Sequence, residues 1–229
     1  MGCPGADAGD ELGKGSVNTM DASQCRAWFG LFCTMIDDQK DELTRLDSAI
    51  GDADHGVNME RGAAAIRMAL ASENSETPGD VFELLGLAVL EGIGGAAGPL
   101  YASLLLGAAK PITGMNTIDL GWLATAMQAG VVGLAARGRA EVGDKTMYDV
   151  ACPAAEALRN AAEAGATFAN GVELSLAAAT AGHDATVPLQ ARKGRAAYLG
   201  HRSVGHLDPG AASMLLLFAS LAAVAGESP

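Results

Sequence analysis

Residues 46–58 read LDSAIGDADHGVN and join two long helical patterns, so the chain must turn at this point. The stretch places three carboxylates, Asp47, Asp52 and Asp54, within eight residues. Carboxylates this close repel one another unless cations balance them. Hard divalent cations take oxygen ligands, and a helix that begins just after the cluster offers free N–H groups to an anion. The stretch therefore predicts a metal and phosphate site at a helix junction.

Two other interpretations of this cluster explain less. If Asp54 only caps the second helix, one carboxylate is accounted for and two are not. The spacing of Asp52, Asp54 and Gly56 resembles the start of a calcium-binding loop. That loop needs a glycine where Val57 stands and a bidentate glutamate where Ala63 stands, so we exclude it.

Helical patterns extend outward from this junction over most of the chain. Apolar residues at spacings of three and four predict a first helix, and Asp21 with Gln24 resembles a capping box at its start. The predicted helices run from about Asp21 to Gly51, Gly56 to Ser72, Pro78 to before Gly92, Pro99 to Lys110, Thr117 to Ala136, Thr146 to Ala164, Asn170 to Gly182, and onward from Asp208. No segment shows sustained two-residue alternation, which a half-buried strand would show. The sequence predicts an all-α bundle of eight helices, with antiparallel neighbours because the loops are short.

One connection, from about Ala185 to Leu207, is long and polar. It concentrates cations and imidazoles: Lys193, Arg195, His201, Arg202 and His206. Loops of this length in a compact domain are usually functional, and arginines could pair with phosphates. Each histidine alone is more typical of a surface residue. The stretch ends in Asp208-Pro209-Gly210, which predicts a helix cap followed by a first-turn proline.

Composition limits the class of protein. The 229 residues are enough for one well-buried domain. We predict a disordered leader over residues 1–18 and a single domain over 19–229. Apolar residues make up 49% and aromatics only 4%, which favours close-packed helices. A net charge of −12 argues against binding nucleic acid or an anionic membrane, and a nucleotide would need bridging cations.

Cysteine usage and hydropathy bear on localisation. The four cysteines show no CxxC spacing and predict reduced thiols. No basic segment precedes an apolar one at the start, so no signal peptide is expected. The apolar stretch 211–225 is too short to span a bilayer. We expect a cytoplasmic protein that is not inserted in a membrane.

Two glycine-containing turns are less specific. Gly92 to Gly98 leads into a helix, and it could either cradle a phosphate or simply join two close-packed helices. The segment 143–146, Gly-Asp-Lys-Thr, superficially resembles the end of a P-loop. Asp144 interrupts the Gly-Lys pair and no strand precedes it, so a Walker motif is excluded.

Four blocks of sequence, taken together, resemble the nucleotide-binding L subunit of dihydroxyacetone kinase. They occur in the family's order and span about residues 21 to 226. The blocks are Leu46-Asp47-x-x-Ile50-Gly51-Asp52-x-Asp54-His55-Gly56-x-Asn58-Met59, Gly94-Gly95-x-x-Gly98-Pro99-Leu100-Tyr101, Gly143-Asp144-Lys145-Thr146-Met147-x-Asp149 and Gly194-Arg195-Ala196-x-Tyr198-Leu199-Gly200-x-Arg202-Ser203-x-Gly205-His206-x-Asp208-Pro209-Gly210. Four ordered blocks are much more specific than any one of them.

The resemblance implies an antiparallel eight-helix barrel with a nucleotide, ADP or ATP, at one end. It implies that Asp47, Asp52 and Asp54 hold two Mg²⁺ ions. The implied nucleotide contacts are His55, Gly56, Val57, Asn58, Ala96, Ala97, Gly138, Met147, Arg195, Asp208, Pro209 and Gly210. The family usually has serine at position 97, so a hydroxyl contact to phosphate is missing here, although a backbone N–H could still serve.

The resemblance also implies a reaction and partners. The bound nucleotide would donate a phosphoryl group to dihydroxyacetone held on a separate K subunit. In versions linked to the sugar phosphotransferase system, ADP stays bound and a phosphohistidine M subunit recharges it. No catalytic side chain is expected, since phosphoryl transfer depends mainly on positioning and charge neutralisation. Three alternatives stay open. The chain could form a homodimer, and it could be a related kinase subunit for another small acceptor or a non-catalytic nucleotide-binding regulator.

Overall fold

The computed structural model describes residues 19–72 and 75–226, so the predicted leader lies outside the described residues. Eight α-helices account for most of this part of the chain. They are α1 Ala22–Ile50, α2 His55–Ser72, α3 Pro78–Gly92, α4 Ala97–Ala109, α5 Leu120–Gly138, α6 Tyr148–Glu163, α7 Phe168–Ala185 and α8 Pro209–Gly226. Two short 3-10 helices, Lys110–Ile112 and Arg195–Ser203, and two three-residue strands, β1 Thr19–Asp21 and β2 Thr117–Asp119, complete the described chain.

The helices form a closed ring. Each α-helix packs against the next one along the chain, and α8 returns to pack against α1. Because neighbours joined by short connections run in opposite directions, the ring is an antiparallel barrel. The predicted all-α fold of eight helices is confirmed.

Small residues allow the helices to approach closely. A Cβ on Gly130 of α5 would lie 2.5 Å from the Leu104 carbonyl oxygen of α4, so only glycine fits that crossing.

Aromatic residues fill the end of the barrel away from the acidic junction. Trp28 and Phe29 of α1 stack with ring centroids 4.6 Å apart. The Trp28 indole N–H donates to the Leu217 carbonyl at 2.8 Å, which fixes α1 against α8.

The structure confirms some predicted helix ends and corrects others. Asp21 and Gln24 form the predicted capping box at the start of α1. Thr117, where the fifth helix was predicted to begin, instead pairs with Asp21 in the two-stranded sheet. The carboxylate of Asp119 caps α5 by accepting the Trp122 N–H at 2.9 Å. Strands of three residues are too short for two-residue alternation to reveal them.

The long connection 185–207 is also more ordered than a polar loop. It contains the 3-10 helix Arg195–Ser203, which is interrupted by a kink at Gly200. Single 3-10 turns lack the repeating apolar stripe that marks an α-helix. The sequence could therefore show that the segment was unusual but not that it was helical.

Helix α8 is long and apolar enough to cross a membrane by length and composition alone, contrary to the expectation for 211–225. In the barrel it packs between α7 and α1, with Met214, Leu217 and Leu221 fully buried. A buried core helix of a helical bundle has the same length and hydropathy.

Candidate nucleotide and metal site

The three predicted metal-ligating carboxylates meet at the junction of α1 and α2. One oxygen from each of Asp47, Asp52 and Asp54 lies within 4.8 Å of the others. Asp47 is buried, whereas Asp52 and Asp54 are exposed. This donor set, all oxygen and all anionic, suits a hard divalent cation such as Mg²⁺.

The backbone of the junction fixes Asp47. One oxygen of its carboxylate, Oδ2, accepts the backbone N–H groups of Asp54 at 2.8 Å and His55 at 3.1 Å. The start of α2 is therefore capped by a side chain from the last turn of α1. A Cβ on Gly51 would lie 1.9 Å from the other oxygen, Oδ1, so glycine keeps that oxygen accessible.

The junction also contains an unusual backbone conformation. Ala53, between Asp52 and Asp54, has a φ of 63°, in the left-handed region that disfavours side chains with a Cβ. Arg139 and Lys145 are the other non-glycine residues with left-handed φ among the described residues, at 48° and 64°. Lys145 lines the same cavity, and Arg139 lies between two residues that line it.

A cavity of about 530 Å³ opens beside the acidic cluster at this end of the barrel. Its wall is built from the α1–α2 junction, the glycine turn before α4, the end of α5, the start of α6 and the connection to α8. The predicted site residues that line it are Asp47, Asp52, Asp54, His55, Asn58, Ala96, Ala97, Gly138, Met147, Arg195, Asp208, Pro209 and Gly210.

Two predicted nucleotide contacts do not line this cavity. Gly56 is buried where α2 crosses α1, and a Cβ there would lie 2.1 Å from the Lys40 carbonyl oxygen. Val57 is 43% exposed at the start of α2. Gly56 thus has a packing role, and it allows the acidic junction to close tightly.

The glycine turn serves packing and also leaves a helix end open. A Cβ on Gly94 would lie 2.4 Å from the Asn58 side-chain oxygen, and Gly95 has a φ of 65°. Ala96, before the first residue of α4, supplies no side-chain cap. The start of α4 therefore lies at the cavity without a capping side chain, as at an anion site.

Another part of the cavity wall is more apolar. Leu100, Leu134 and Met147 line it together with Gly138 at the end of α5. An apolar slot next to a charged pocket can receive a flat ring while the charged groups hold phosphates.

Lys145 shapes the basic side of the cavity, which the residue pattern alone did not reveal. Its side chain is 1% exposed, and the ammonium donates to the carbonyls of Thr186 at 2.6 Å, Val187 and His206. Burial lowers the pKa of Lys145. Lys145 is thereby hydrogen-bonded to both ends of the segment 186–206, which we call the late loop.

The late loop carries Arg195 to the acidic cluster. An Nη1 nitrogen of Arg195 lies 3.0 Å from the Asp52 carboxylate, although the guanidinium is largely exposed. The side chains of His201, Arg202 and His206 are exposed and do not line the cavity. Of these, His206 contributes through its backbone carbonyl.

A buried network lies beneath the cluster. The His55 Nε2 atom is 2.9 Å from the Ser213 hydroxyl, which also accepts the Tyr101 hydroxyl at 2.9 Å. Ser213 donates its own proton to the Gly210 carbonyl. This arrangement makes His55 Nε2 a donor, because the one Ser213 proton is already used. Burial lowers the pKa of His55, which favours the neutral ring.

Asp208 caps α8, as the sequence predicts. Its carboxylate accepts the Ala211 N–H at 2.7 Å. Burial raises the pKa of Asp208 to about 7, and the Ala211 hydrogen bond and nearby Lys145 only partly oppose this rise.

The fold and the cavity define a class of protein, namely an all-α barrel domain with an acidic cluster beside a cavity at one end. Sequence comparison gives the family. Residues 49–223 match the DAK2 domain, and the chain belongs to this family.

Several relatives are ADP-binding subunits of bacterial kinases. The chain is 39% identical to the PEP-dependent dihydroxyacetone kinase ADP-binding subunit DhaL of Escherichia coli K12, covering 82% of this chain and 90% of that protein. It is 38% identical to the PTS-dependent subunit of Lactococcus lactis, covering 85% and 93%. Mouse triokinase/FMN cyclase is 33% identical, but the match covers only 32% of that longer protein.

A solved structure shows the same fold. The dihydroxyacetone kinase of C. freundii superposes with a TM-score of 0.68 at 21% identity, covering 97% of this chain and 38% of that chain. A second structure of that kinase contains AMP-PNP and Mg²⁺ and superposes with a TM-score of 0.67 at 22% identity.

Proposed function

We propose that this chain is the ADP-binding subunit of a dihydroxyacetone kinase, working in the cytoplasm with separate partner subunits. The observation that carries the proposal is the meeting of three carboxylates, an uncapped helix N-terminus and Arg195 around one cavity. An acidic cluster alone would repel a polyphosphate. Cations held by the cluster reverse that field, and the helix end and the arginine then complete an anion site.

Two Mg²⁺ ions would be held by Asp47, Asp52 and Asp54 and would neutralise and bridge the phosphates. The residues present fit this role. The Oδ2 atom of Asp47 is used by two backbone N–H groups, which leaves Oδ1 as its ligand atom. A cation would also replace Arg195 as the partner of Asp52, since both bind the same carboxylate.

The nucleotide would lie across the cavity from the acidic cluster to the apolar slot. Its phosphates would meet the α4 N-terminus near Ala96 and Ala97, and its base would pack against Leu100, Leu134 and Met147. Asp208 to Gly210, at the start of α8, would contact the sugar side of the same ligand. A cavity of about 530 Å³ is within the usual range for a ligand of this size.

The chain's own residues would bind and orient the donor, while a partner K subunit holds dihydroxyacetone. Positioning and charge neutralisation are the main requirements of phosphoryl transfer. A phosphohistidine M subunit would recharge the bound ADP. Identities of 38–39% to PEP- and PTS-dependent subunits, against 33% to the mouse single-chain enzyme, support the multi-subunit arrangement.

Reconstitution tests the proposal. We expect the chain, mixed with a dihydroxyacetone-binding K subunit and a phosphohistidine donor system, to phosphorylate dihydroxyacetone. Native mass spectrometry of the purified chain should show ADP and two magnesium ions. If neither a phosphohistidine donor nor ATP supports turnover, the kinase function is contradicted.

A non-catalytic nucleotide-binding regulator is the second candidate, because Ala97 lacks the hydroxyl usual in the resembled family. It predicts tight Mg-ADP binding without transfer to any acceptor. Ala97→Ser would discriminate: for a kinase, we expect it to improve affinity or turnover severalfold through one added hydrogen bond. For a regulator, turnover would stay absent in both forms.

A further inference from the structure

The late loop holds one aromatic side chain far out in solvent. Tyr198 is 91% exposed, more than any other large hydrophobic side chain in the described chain. It belongs to the 3-10 helix Arg195–Ser203 beside the mouth of the cavity. An aromatic ring of this size normally buries much of its surface.

The segment that carries Tyr198 is firmly anchored. Ser203 is fully buried, and its hydroxyl accepts the Ala191 N–H at 2.9 Å and donates to the Gly200 carbonyl at 2.7 Å. Ala196 packs with Ile50 of α1 in a small apolar cluster. The exposure of Tyr198 is therefore set by the buried residues on both sides of it.

The same segment carries more positive charge than the cavity uses. Residues 186–207 contain four lysines and arginines and no aspartate or glutamate, in a chain of net charge −12. Lys193 and Arg195 line the cavity, where they can meet phosphates. Arg192 and Arg202 do not line it, and neither forms an ion pair with any described residue.

We propose that Tyr198, Arg192 and Arg202 form a docking surface for the subunit that carries the phosphoryl acceptor, through an acidic face of that subunit. This inference rests on the proposed function. Tyrosine and arginine are among the residues enriched at the energetic centre of interfaces. Arg195, three residues before Tyr198, touches Asp52, so a partner seated on Tyr198 lies over the cavity mouth.

A preformed anchor of this kind also suits transient association. An exposed ring with two rotatable side-chain bonds loses little conformational entropy on binding. The basic segment would speed encounter with an acidic surface and make it sensitive to salt. The remainder of this chain, being acidic, would oppose docking in other orientations.

The test measures binding of the K subunit to Tyr198→Ala and Arg202→Glu by titration calorimetry. We expect each change to weaken the complex at least tenfold, and the effect of Arg202→Glu to shrink as salt rises. Mg-ADP affinity of the isolated subunit should stay within twofold of wild type. Met68→Ala, which removes a 73% exposed side chain on α2, is the matched control and should not affect the complex.

Three results would overturn the inference. Unchanged K-subunit binding by Tyr198→Ala, with normal turnover of the wild type, would overturn it while leaving the proposed function intact. Sedimentation showing a wild-type dimer that Tyr198→Ala dissociates would assign the surface to a second copy of this chain. A wild-type chain that neither binds the K subunit nor supports turnover would overturn both proposals.

Discussion

The two walls of the cavity are built in opposite ways. The acidic wall comes from eight consecutive residues, Asp47 to Asp54, at one helix junction. The basic wall comes from the late loop, which Lys145 holds from 41 to 61 residues away along the chain. The acidic wall can therefore be recognised in a short stretch of sequence, whereas the basic wall exists only after the barrel has closed.

The geometry of the acidic wall therefore depends on a local helix junction, whereas that of the basic wall depends on contacts between distant parts of the chain. The carboxylates keep their geometry as long as α1 and α2 meet, because Asp47 itself caps α2. Arg195 owes its position to the late loop, whose two ends are joined by the Lys145 ammonium through the carbonyls of Thr186, Val187 and His206. Substitution of the exposed Asp52 or Asp54 should therefore affect ligand binding alone, whereas loss of the Lys145 ammonium should affect both ligand binding and the fold.

The largest expected effect is on the acidic wall. Asp52→Ala should weaken Mg-dependent ADP binding by more than about 100-fold, since losing even an outer-shell partner of a metal ligand costs roughly 10- to 100-fold. Helix content should be unchanged. Thermal-shift titration with Mg-ADP measures this, with Asp38→Ala on the exposed face of α1 as the control. Full stabilisation of Asp52→Ala by Mg-ADP would show that the metal assignment is wrong.

The next effect tests the basic wall. Lys145→Met removes the donor to the His206 carbonyl and one of two donors to the Thr186 and Val187 carbonyls. We expect a loss of about 2–4 kcal/mol in the free energy of unfolding. That corresponds to a melting temperature lower by roughly 4–16 °C for a domain of this size. Nucleotide affinity should fall as well, because the late loop is released.

Calorimetry of Lys145→Met and of Lys110→Met, which changes an exposed lysine, gives the comparison. Amide exchange should quicken in residues 186–206 of Lys145→Met and stay slow in residues 46–58. Equal loss of protection in both walls would remove the distinction between them.

A smaller, pH-dependent effect comes from Asp208, which lies where the late loop joins α8. Its pKa rises from about 3.9 in an unfolded chain to about 7 in the fold, because the carboxyl is buried. Between these pH values the unfolded state binds fewer protons than the folded state, so the contribution of Asp208 to stability falls as pH rises. Below pH 4 that contribution is fully present.

Urea denaturation of wild type and Asp208→Asn at pH 4 to 8 measures this contribution. The stability of wild type relative to Asp208→Asn should decrease steadily up to about pH 7 and then level off. A pH-independent difference would mean that Asp208 is ionised throughout the range.

The smallest effect concerns the ion pair that links the two walls. Arg195→Gln should lower Mg-ADP affinity, because a phosphate partner is lost, but should raise the affinity for the metal alone. That gain should be no more than about fivefold, since exposed ion pairs contribute up to roughly 1 kcal/mol. Titration with Mn²⁺ in the absence of nucleotide measures the affinity for the metal alone, and Arg159→Gln on α6 is the control. Unchanged metal affinity would show that Arg195 and the cation do not compete.

The sequence predicted the parts of this protein whose causes are local. Helix periodicity, the Asp21–Gln24 capping box and the Asp208 cap depend on residues a few positions apart, and the structure confirms them. The strand containing Thr117 was missed because its partner, β1, is about 100 residues away and each strand has only three residues.

Some site features depend on side chains that meet only in the folded barrel. Lys145 belongs to one of the four sequence blocks, but nothing in the neighbouring sequence shows that its ammonium is buried against Thr186 and His206. Ser213 lies within an apolar helix pattern, and its contacts with His55 and Tyr101 span more than 100 residues. Gly56 and Val57, carried over by resemblance, stay predictions as nucleotide contacts.

The left-handed backbone at Ala53, Arg139 and Lys145 has a consequence for engineering. All three residues lie at the cavity end, and each left-handed non-glycine residue costs about 1–2 kcal/mol. The barrel therefore has an end packed with aromatic residues and, at the cavity, an end with a strained backbone. Glycine at Ala53 would relieve strain, but it would also loosen the turn that positions the Asp52 and Asp54 carboxylates. A more heat-resistant variant that still binds its ligand should therefore be sought around Trp28 and Phe82, where improved packing leaves the cavity end unchanged.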